Sequence, residues 1–307
     1  MATSIYHKPV MLNECMEALN IKPNGKYVDV TFGGGGHSKE ILSRLDKNGK
    51  LYAFDQDKDA AQNVPADDRL IFSYSNFREI RRFLKYYDTD VSNGSNGYDG
   101  ILADLGISSY QIDTAERGFS IRWEGNLDMR MNAQSEITAA DIVNSYSQEK
   151  LQKVFSEFGE VRNSKTLAEK IINERTTSPF STTTEFISRI ESCIRGNRLR
   201  YLAQVFQALR MEVNQELQSL EELLKQSPDV LNKGGRMVVL TYHSLEDRMV
   251  KNFFKTGNIS GEEEKDFFGN TNRPFTLVNK KPITASENEV RENPRARSAK
   301  LRVAIKN

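Results

Sequence analysis

Cysteine, histidine and tryptophan are scarce in this chain, which carries two, three and one of them among 307 residues. Cys15 and Cys193 lie far apart among helical-looking residues, which argues against a disulfide framework and for two buried thiols in a reducing compartment. His7, His37 and His243 have no second His or Cys at a metal-ligand spacing, so no metal site is expected. Long apolar runs are absent too, and residues 1–11 lack the charged, apolar and small-residue sections of a signal peptide. Cytoplasmic residence with no membrane partner is the expectation. Neither sign of charge is in excess, since 43 Lys and Arg stand against 42 Asp and Glu. A nucleic-acid partner would have to meet basic residues concentrated locally.

What is present describes a globular protein with a real core: 38% hydrophobic and 28% charged residues, in a chain long enough for one sizeable domain plus a smaller module. Residues 26–31 (KYVDVT) read as a strand, the four glycines 33–36 as a tight loop, and the apolar spacing of Ile41, Leu42 and Leu45 as a helix. Further strands are expected at 50–55, 70–73 and 98–104, with helices between them and a polar turn at 93–97. Alternation of this kind predicts a parallel sheet. It stops after Gly106. Residues 114–197 show helical patterns only, at 139–146, 148–158, 165–175 and 184–194. A long helix over 199–225 is expected to return to the sheet. A strand at 236–242 introduced by Gly234-Gly235, a helix at 245–254, a mobile acidic loop at 257–272 and a last strand at 301–305 complete the chain. The reading is an α/β domain of residues 1–113 and 198–307, interrupted by an all-helical domain of residues 114–197.

Three motifs fall where this sheet would place a ligand. Asp29 to His37 (DVTFGGGGH) joins the first strand to the first helix, where glycines admit a close ligand and the helix start offers N–H donors, unless the loop is merely a permissive turn. Asp55 ends the second strand nineteen residues beyond Gly36; it either accepts from the two hydroxyls of a ribose or caps the next helix. The loop lacks the G-x-G-x-x-G pattern of nicotinamide enzymes and has Asp29 on the strand before it. A carboxylate there suits a cofactor carrying a cationic amino acid better than one carrying a pyrophosphate. Asp104 to Gln111 (DLGISSYQ) ends the fourth strand, and Asp104 could take a proton, hold the cofactor or cap the turn. His243, after the fifth strand, either accepts a proton or positions the backbone, with Glu246, Asp247 and Arg248 in helix-start and ion-pair contacts.

Basic residues gather in two places. Arg117, Arg122 and Arg130 flank the insertion, and Arg291, Arg295, Arg297, Lys300, Arg302 and Lys306 form a tail. They either track phosphates or are solvated surface charge. Phe119, Trp123 and Met129 either meet a displaced base or belong to the core.

The segments 29–38, 99–111 and 116–120 (ERGFS), with 7–12 (HKPVML), 127–131 (LDMRM), 206–210 (FQALR), 243–248 (HSLEDR) and 293–302 (NPRARSAKLR), closely resemble the bacterial 16S ribosomal RNA cytidine-N4 methyltransferase family. The resemblance spans nearly the whole chain. It implies a class I methyltransferase domain (Rossmann-like, mostly parallel sheet) with an inserted helical RNA-recognition domain. It also implies S-adenosylmethionine as methyl donor and a cytidine near the decoding centre of small-subunit ribosomal RNA, within the 30S subunit, as acceptor. By position, the family's cofactor contacts fall on Gly35, Gly36, His37, Asp55, Phe77, Asp104 and Gln111, with Asp104 and His243 as catalytic candidates. Arg117, Arg130, Arg295 and Arg297 are the candidates for RNA contact, and a homodimer is compatible by analogy. Departures are few: Gly34 stands where many members have another residue, Gln204-Val205 where Arg-Thr is common, and Tyr242 where Phe is usual. The loss of Arg at 204 puts in doubt a phosphate contact from that point of the long helix. A small-molecule methyltransferase would leave the arginines unexplained, and intact Asp55, Asp104 and Gln111 argue against an assembly factor with a vestigial pocket.

Overall fold

The short apolar runs are the strands of one sheet in the computed structural model, which describes residues 9–87, 97–263 and 273–307. His7 and Lys8, the turn residues 93–96 and part of the 257–272 loop lie outside the described residues. The strands are β1 (Lys26–Asp29), β2 (Lys50–Asp55), β3 (Leu70–Tyr74), β4 (Tyr98–Asp104), β5 (Leu231–Thr241), β6 (Phe275–Leu277), β7 (Ile283–Thr284) and β8 (Lys300–Lys306). Their order is β3-β2-β1-β4-β5-β8-β6, with β7 also on β8. The first five run parallel to one another, whereas β8 is antiparallel to β5, β6 and β7. This is the expected α/β class, a doubly wound and mostly parallel sheet. Its strand order reverses between β1 and β4, the place where open sheets of this kind bind ligands.

Parallel strands must bury both faces, and alternate residues here feed two cores. Val28, Val30, Phe54, Ile101 and Val239 pack with Leu84, Leu220, Leu224 and Phe254 on one side; Tyr27, Leu51, Leu102 and Leu240 pack with Met16, Leu19 and Ile41 on the other. Cys15 and Cys193 are buried, unpaired thiols. No described helix is long and apolar enough to cross a membrane.

The chain divides into two compact units, Met1–Gly106 with Leu217–Asn307, and Ile107–Glu216. The helical unit is thus wider than residues 114–197, for a local reason. The helix expected over 199–225 is two helices, Arg198–Val213 and Glu216–Val230. Asn214 interrupts it: its Nδ2 donates to Met129 O and Arg210 O, both at 2.8 Å, and its Oδ1 accepts from Met131 N at 2.7 Å. Gln215 follows with φ +49°. Leu202, Val205 and Leu209 on the first helix then pack with Ile142, Leu151, Phe155 and Ile171 of the helical core, while Leu220 and Leu224 on the second pack under the sheet. Thr138, Ser147, Thr182 and Asn197 cap the helices Ala139–Ser145, Gln148–Glu157, Thr183–Ile190 and Arg198–Val213.

Two strand expectations also change. Gly234-Gly235 lie inside β5, at an irregularity opposite Tyr98 to Gly100, so the strand begins at Leu231. β6 and β7 are too short to show a period.

Candidate functional site

Carboxylates end three adjacent strands: Asp55 on β2, Asp29 on β1 and Asp104 on β4. The register sets Asp29 beside Leu102 and Asp104 beside Leu240, so Asp29 and Asp104 flank the point where the strand order reverses.

Asp29 is fully buried. One of its oxygens accepts from Ser38 Oγ at 2.7 Å and the other from Thr31 N at 3.1 Å, and the Thr31 hydroxyl in turn accepts from Asp104 N at 2.7 Å. Asp55 Oδ2 accepts from Gly33 N at 2.7 Å and Oδ1 from Asp57 N at 2.8 Å. The capping role weighed for Asp55 belongs to Asp57, which caps the turn Lys58–Asn63 through Asp59 N. Each Asp55 oxygen keeps a lone pair for a further donor. Asp104 Oδ1 accepts from the Tyr242 hydroxyl at 2.6 Å, and His37 Nδ1 stands 3.7 Å from Oδ2.

Burial pushes all three carboxyls above their ordinary range, Asp55 to about 6, against the hydrogen bonds that favour their charged forms. Among the described residues no lysine or arginine forms an ion pair with any of them.

The glycine loop is built to be approached. Gly35 is the N-cap of the helix Gly36–Arg44, with φ +75°. A Cβ on Gly36 would stand 2.3 Å from Pro9 Cγ, so only glycine lets Pro9 lie this close. His37 Nε2 is bound to the Val10 carbonyl at 3.1 Å on the same segment. At Gly34, by contrast, a Cβ would meet no described residue within 4 Å, and at Gly33 only the Thr31 carbonyl at 4.0 Å. Open space in front of a loop whose back is tightly packed, bordered by uncompensated carboxylates, fits a nucleoside that carries a cationic amino-acid group.

The other candidates divide. Phe77, which no spacing rule singled out, lies half-buried in the turn Phe77–Glu79 after β3; Asn76 caps that turn and its Nδ2 donates to Gln56 Oε1 at 2.8 Å, beside Asp55. The cap residue was its one readable signal. His243 is the N-cap of the helix Ser244–Thr256, with Nδ1 accepting from Leu245 N at 3.4 Å, and Asp247 binds Arg302 through two hydrogen bonds of 2.6 and 3.2 Å. These are helix-start and ion-pair contacts of His243 and Asp247; Glu246 accepts from Tyr242 N at 3.1 Å, and Arg248 is exposed. Gln111, in the helical unit, completes a capping box with Ser108.

Two arginines proposed for RNA have structural work instead. Arg130 grips both oxygens of Asp128 at 2.8 and 2.7 Å and donates to the carbonyls of Ala133 and Ser135; Arg117 donates to the carbonyls of Arg130 and Met131. Within the basic tail, Arg302 is buried against Asp247, Lys300 reaches the same carboxylate at 3.3 Å, and Lys306 donates to the carbonyls of Pro228 and Leu231. Arg297 is exposed and Arg295 half-buried on the turn Pro294–Ser298. Phe119 and Met129 belong to the helical core, while Trp123 is 56% exposed next to exposed Arg122.

The sequence profile of the MraW methylase family matches residues 4–307. The ribosomal RNA small subunit methyltransferase H of Phocaeicola vulgatus is 55% identical over 306 residues, covering 99% of each chain. Its namesakes from Parabacteroides distasonis and Cytophaga hutchinsonii are 54% and 52% identical, covering 99% and 98% of this chain and 98% and 99% of their own.

Proposed function

Since the chain belongs to the MraW methylase family, we propose that it is an S-adenosylmethionine-dependent methyltransferase of small-subunit ribosomal RNA whose acceptor is the exocyclic N4 of a cytidine near the decoding centre. The observation that carries the reading is the row Asp55, Asp29 and Asp104 at the ends of neighbouring strands, paired by no lysine or arginine among the described residues, beside an open glycine loop. Asp55 would take the ribose hydroxyls on its remaining lone pairs, Phe77 would lie against the adenine, and the buried carboxylates would face the cationic end. S-adenosylmethionine supplies an electrophilic methyl on a sulfonium that leaves as a neutral thioether.

The protein's part is then chiefly orientation. With the cofactor bound, N4 would form the new C–N bond as the C–S pair returned to sulfur, and the proton that N4 sheds would need an acceptor. With His243 Nδ1 engaged as a helix cap, Asp104 is the acceptor we favour. For the RNA, the exposed pair Arg122 and Trp123 in the helical unit and Arg297 with Arg295 in the tail replace Arg117 and Arg130 as the best-placed contacts.

The test is transfer of labelled methyl from S-adenosylmethionine to small ribosomal subunits that lack their native modifications, followed by nucleoside analysis. Label on cytidine N4 is the expected result. Label on another nucleoside would overturn the acceptor assignment, and cofactor binding without RNA labelling would overturn the substrate class.

A further inference from the structure

Tyr242 lies against Asp104. It follows β5 directly, on the strand next to β4, and every part of it is fixed. Its backbone N–H donates to Glu246 Oε2 at 3.1 Å. Its ring covers Gly106, whose φ of +126° and lack of a side chain admit it; a Cβ there would stand 3.2 Å from the ring. Its hydroxyl donates to Asp104 Oδ1 at 2.6 Å. Phenylalanine could fill the same space but could not make that bond.

We propose that Tyr242 is a positioning residue for methyl transfer: its hydroxyl locks the Asp104 carboxylate in one rotamer and favours its charged form, with Oδ2 left to the cofactor and the acceptor amine. The inference rests on the reading of Asp104 given above. Burial pushes the Tyr242 hydroxyl well above its usual range, and Asp104 beside it adds to this, so the group remains a neutral donor wherever the enzyme works. Burial likewise raises the Asp104 carboxyl, and His37 and the Tyr242 bond oppose that rise. The other titratable groups facing the pair are Asp29, which raises the Asp104 carboxyl, Cys15, whose buried thiol is pushed well up and stays neutral, and Glu246, which raises the Tyr242 hydroxyl. Removing the hydroxyl deletes a bond that favours the charged form over the neutral one. Asp104 then holds its proton to a higher pH, and whatever needs the carboxylate fails sooner on the acid side.

The experiment compares wild type with Tyr242→Phe, measuring S-adenosylhomocysteine binding by calorimetry and the kcat and KM of methyl transfer from pH 5.5 to 8.5. Unchanged thermal melting would establish that the ring still packs. The expected result is a relative loss of affinity in the variant that grows toward acid pH and reaches up to about tenfold, the size expected for one hydrogen bond to a charged group, with kcat falling from a higher pH than in the wild type. In an Asp104→Asn background the hydroxyl should no longer matter. Superimposable pH profiles, or an equal additional loss on top of Asp104→Asn, would overturn the inference while leaving the cofactor site intact. Failure of the wild type to bind the product at any pH would overturn the site reading itself, and the inference with it.

Discussion

Aspartates at the sheet edge and aspartates in the helical unit meet opposite electrostatic surroundings. Burial acts on Asp128 as it does on Asp104, but the two-pronged Arg130 guanidinium overrides it and holds the Asp128 carboxyl below its ordinary range. Asp104, Asp29 and Asp55 have no such partner and are held above it. The same division runs through the rest of the helical unit, where Arg189 binds Glu174 and Glu185, Arg210 binds Glu216, and Tyr146 donates to Glu212. Polar groups there complete one another and serve the architecture. At the ends of β1, β2 and β4 the fold accepts the cost of buried carboxyls that no described lysine or arginine pairs, with only His37 3.7 Å from Asp104, which is the arrangement expected where a ligand supplies charge.

The largest effect should come from removing one of the uncompensated groups. Asp104→Ala is expected to lower kcat/KM for methyl transfer by about 100-fold or more, since it deletes both a cofactor contact and the proton acceptor. Part of the loss should appear as weaker cofactor binding in calorimetry. Normal binding with full activity in that variant would break the comparison, because the missing counter-charge would then mark nothing functional.

A smaller effect, of a different kind, should follow from breaking a compensated pair. Arg130→Ala leaves Asp128 without its partner and frees the carbonyls of Ala133 and Ser135. With both side chains about a quarter exposed, at 24% and 26%, a destabilisation of roughly 1–3 kcal/mol is expected. Trp123, the one tryptophan, lies in the helical unit and reports its unfolding by fluorescence in denaturant. RNA affinity and its salt dependence should not change. A variant of wild-type stability whose salt slope drops by about one would instead make Arg130 a phosphate contact.

Much of the edge was legible in the sequence because strand ends and glycine loops leave local marks. Asp55 and Asp104 each close a β-rich run, Asp29 lies within the run 26–31, and the glycines begin four residues after it. The helical insertion was legible as lost alternation. Its limits were not: the apolar period continues smoothly through residues 202–224, and only the tertiary bonds of Asn214 to Met129 and Met131 show where one helix becomes two. Nor could the sequence say which arginines face outward. Arg130 and Arg302 look like members of basic clusters until Asp128 and Asp247 are seen to claim them, one two residues away and the other fifty-five. Tyr242 was visible only as a departure from a pattern, since its partner Asp104 lies 138 residues earlier.

The subtlest consequence of the comparison is a pH dependence of folding. Asp55 has its carboxyl pushed from 3.8 to about 6 by burial, so between about pH 4 and 6 the folded protein keeps a proton that the unfolded chain has released. The sign is therefore destabilising as pH rises: ligand-free stability should be greater below this window and decline through it, by at most roughly 3 kcal/mol for this group. Asp29 and Asp104 add to the decline in the same direction. Denaturation midpoints of the wild type and Asp55→Asn across pH 4–7.5 would isolate the Asp55 share, with a shallower decline expected in the variant. Saturating cofactor should flatten the wild-type curve, because ribose hydroxyls donating to Asp55 favour its charged form. Equal slopes in the two proteins would mean that Asp55 is ionised throughout, and that its bonds to Gly33 and Asp57 compensate it as fully as Arg130 compensates Asp128.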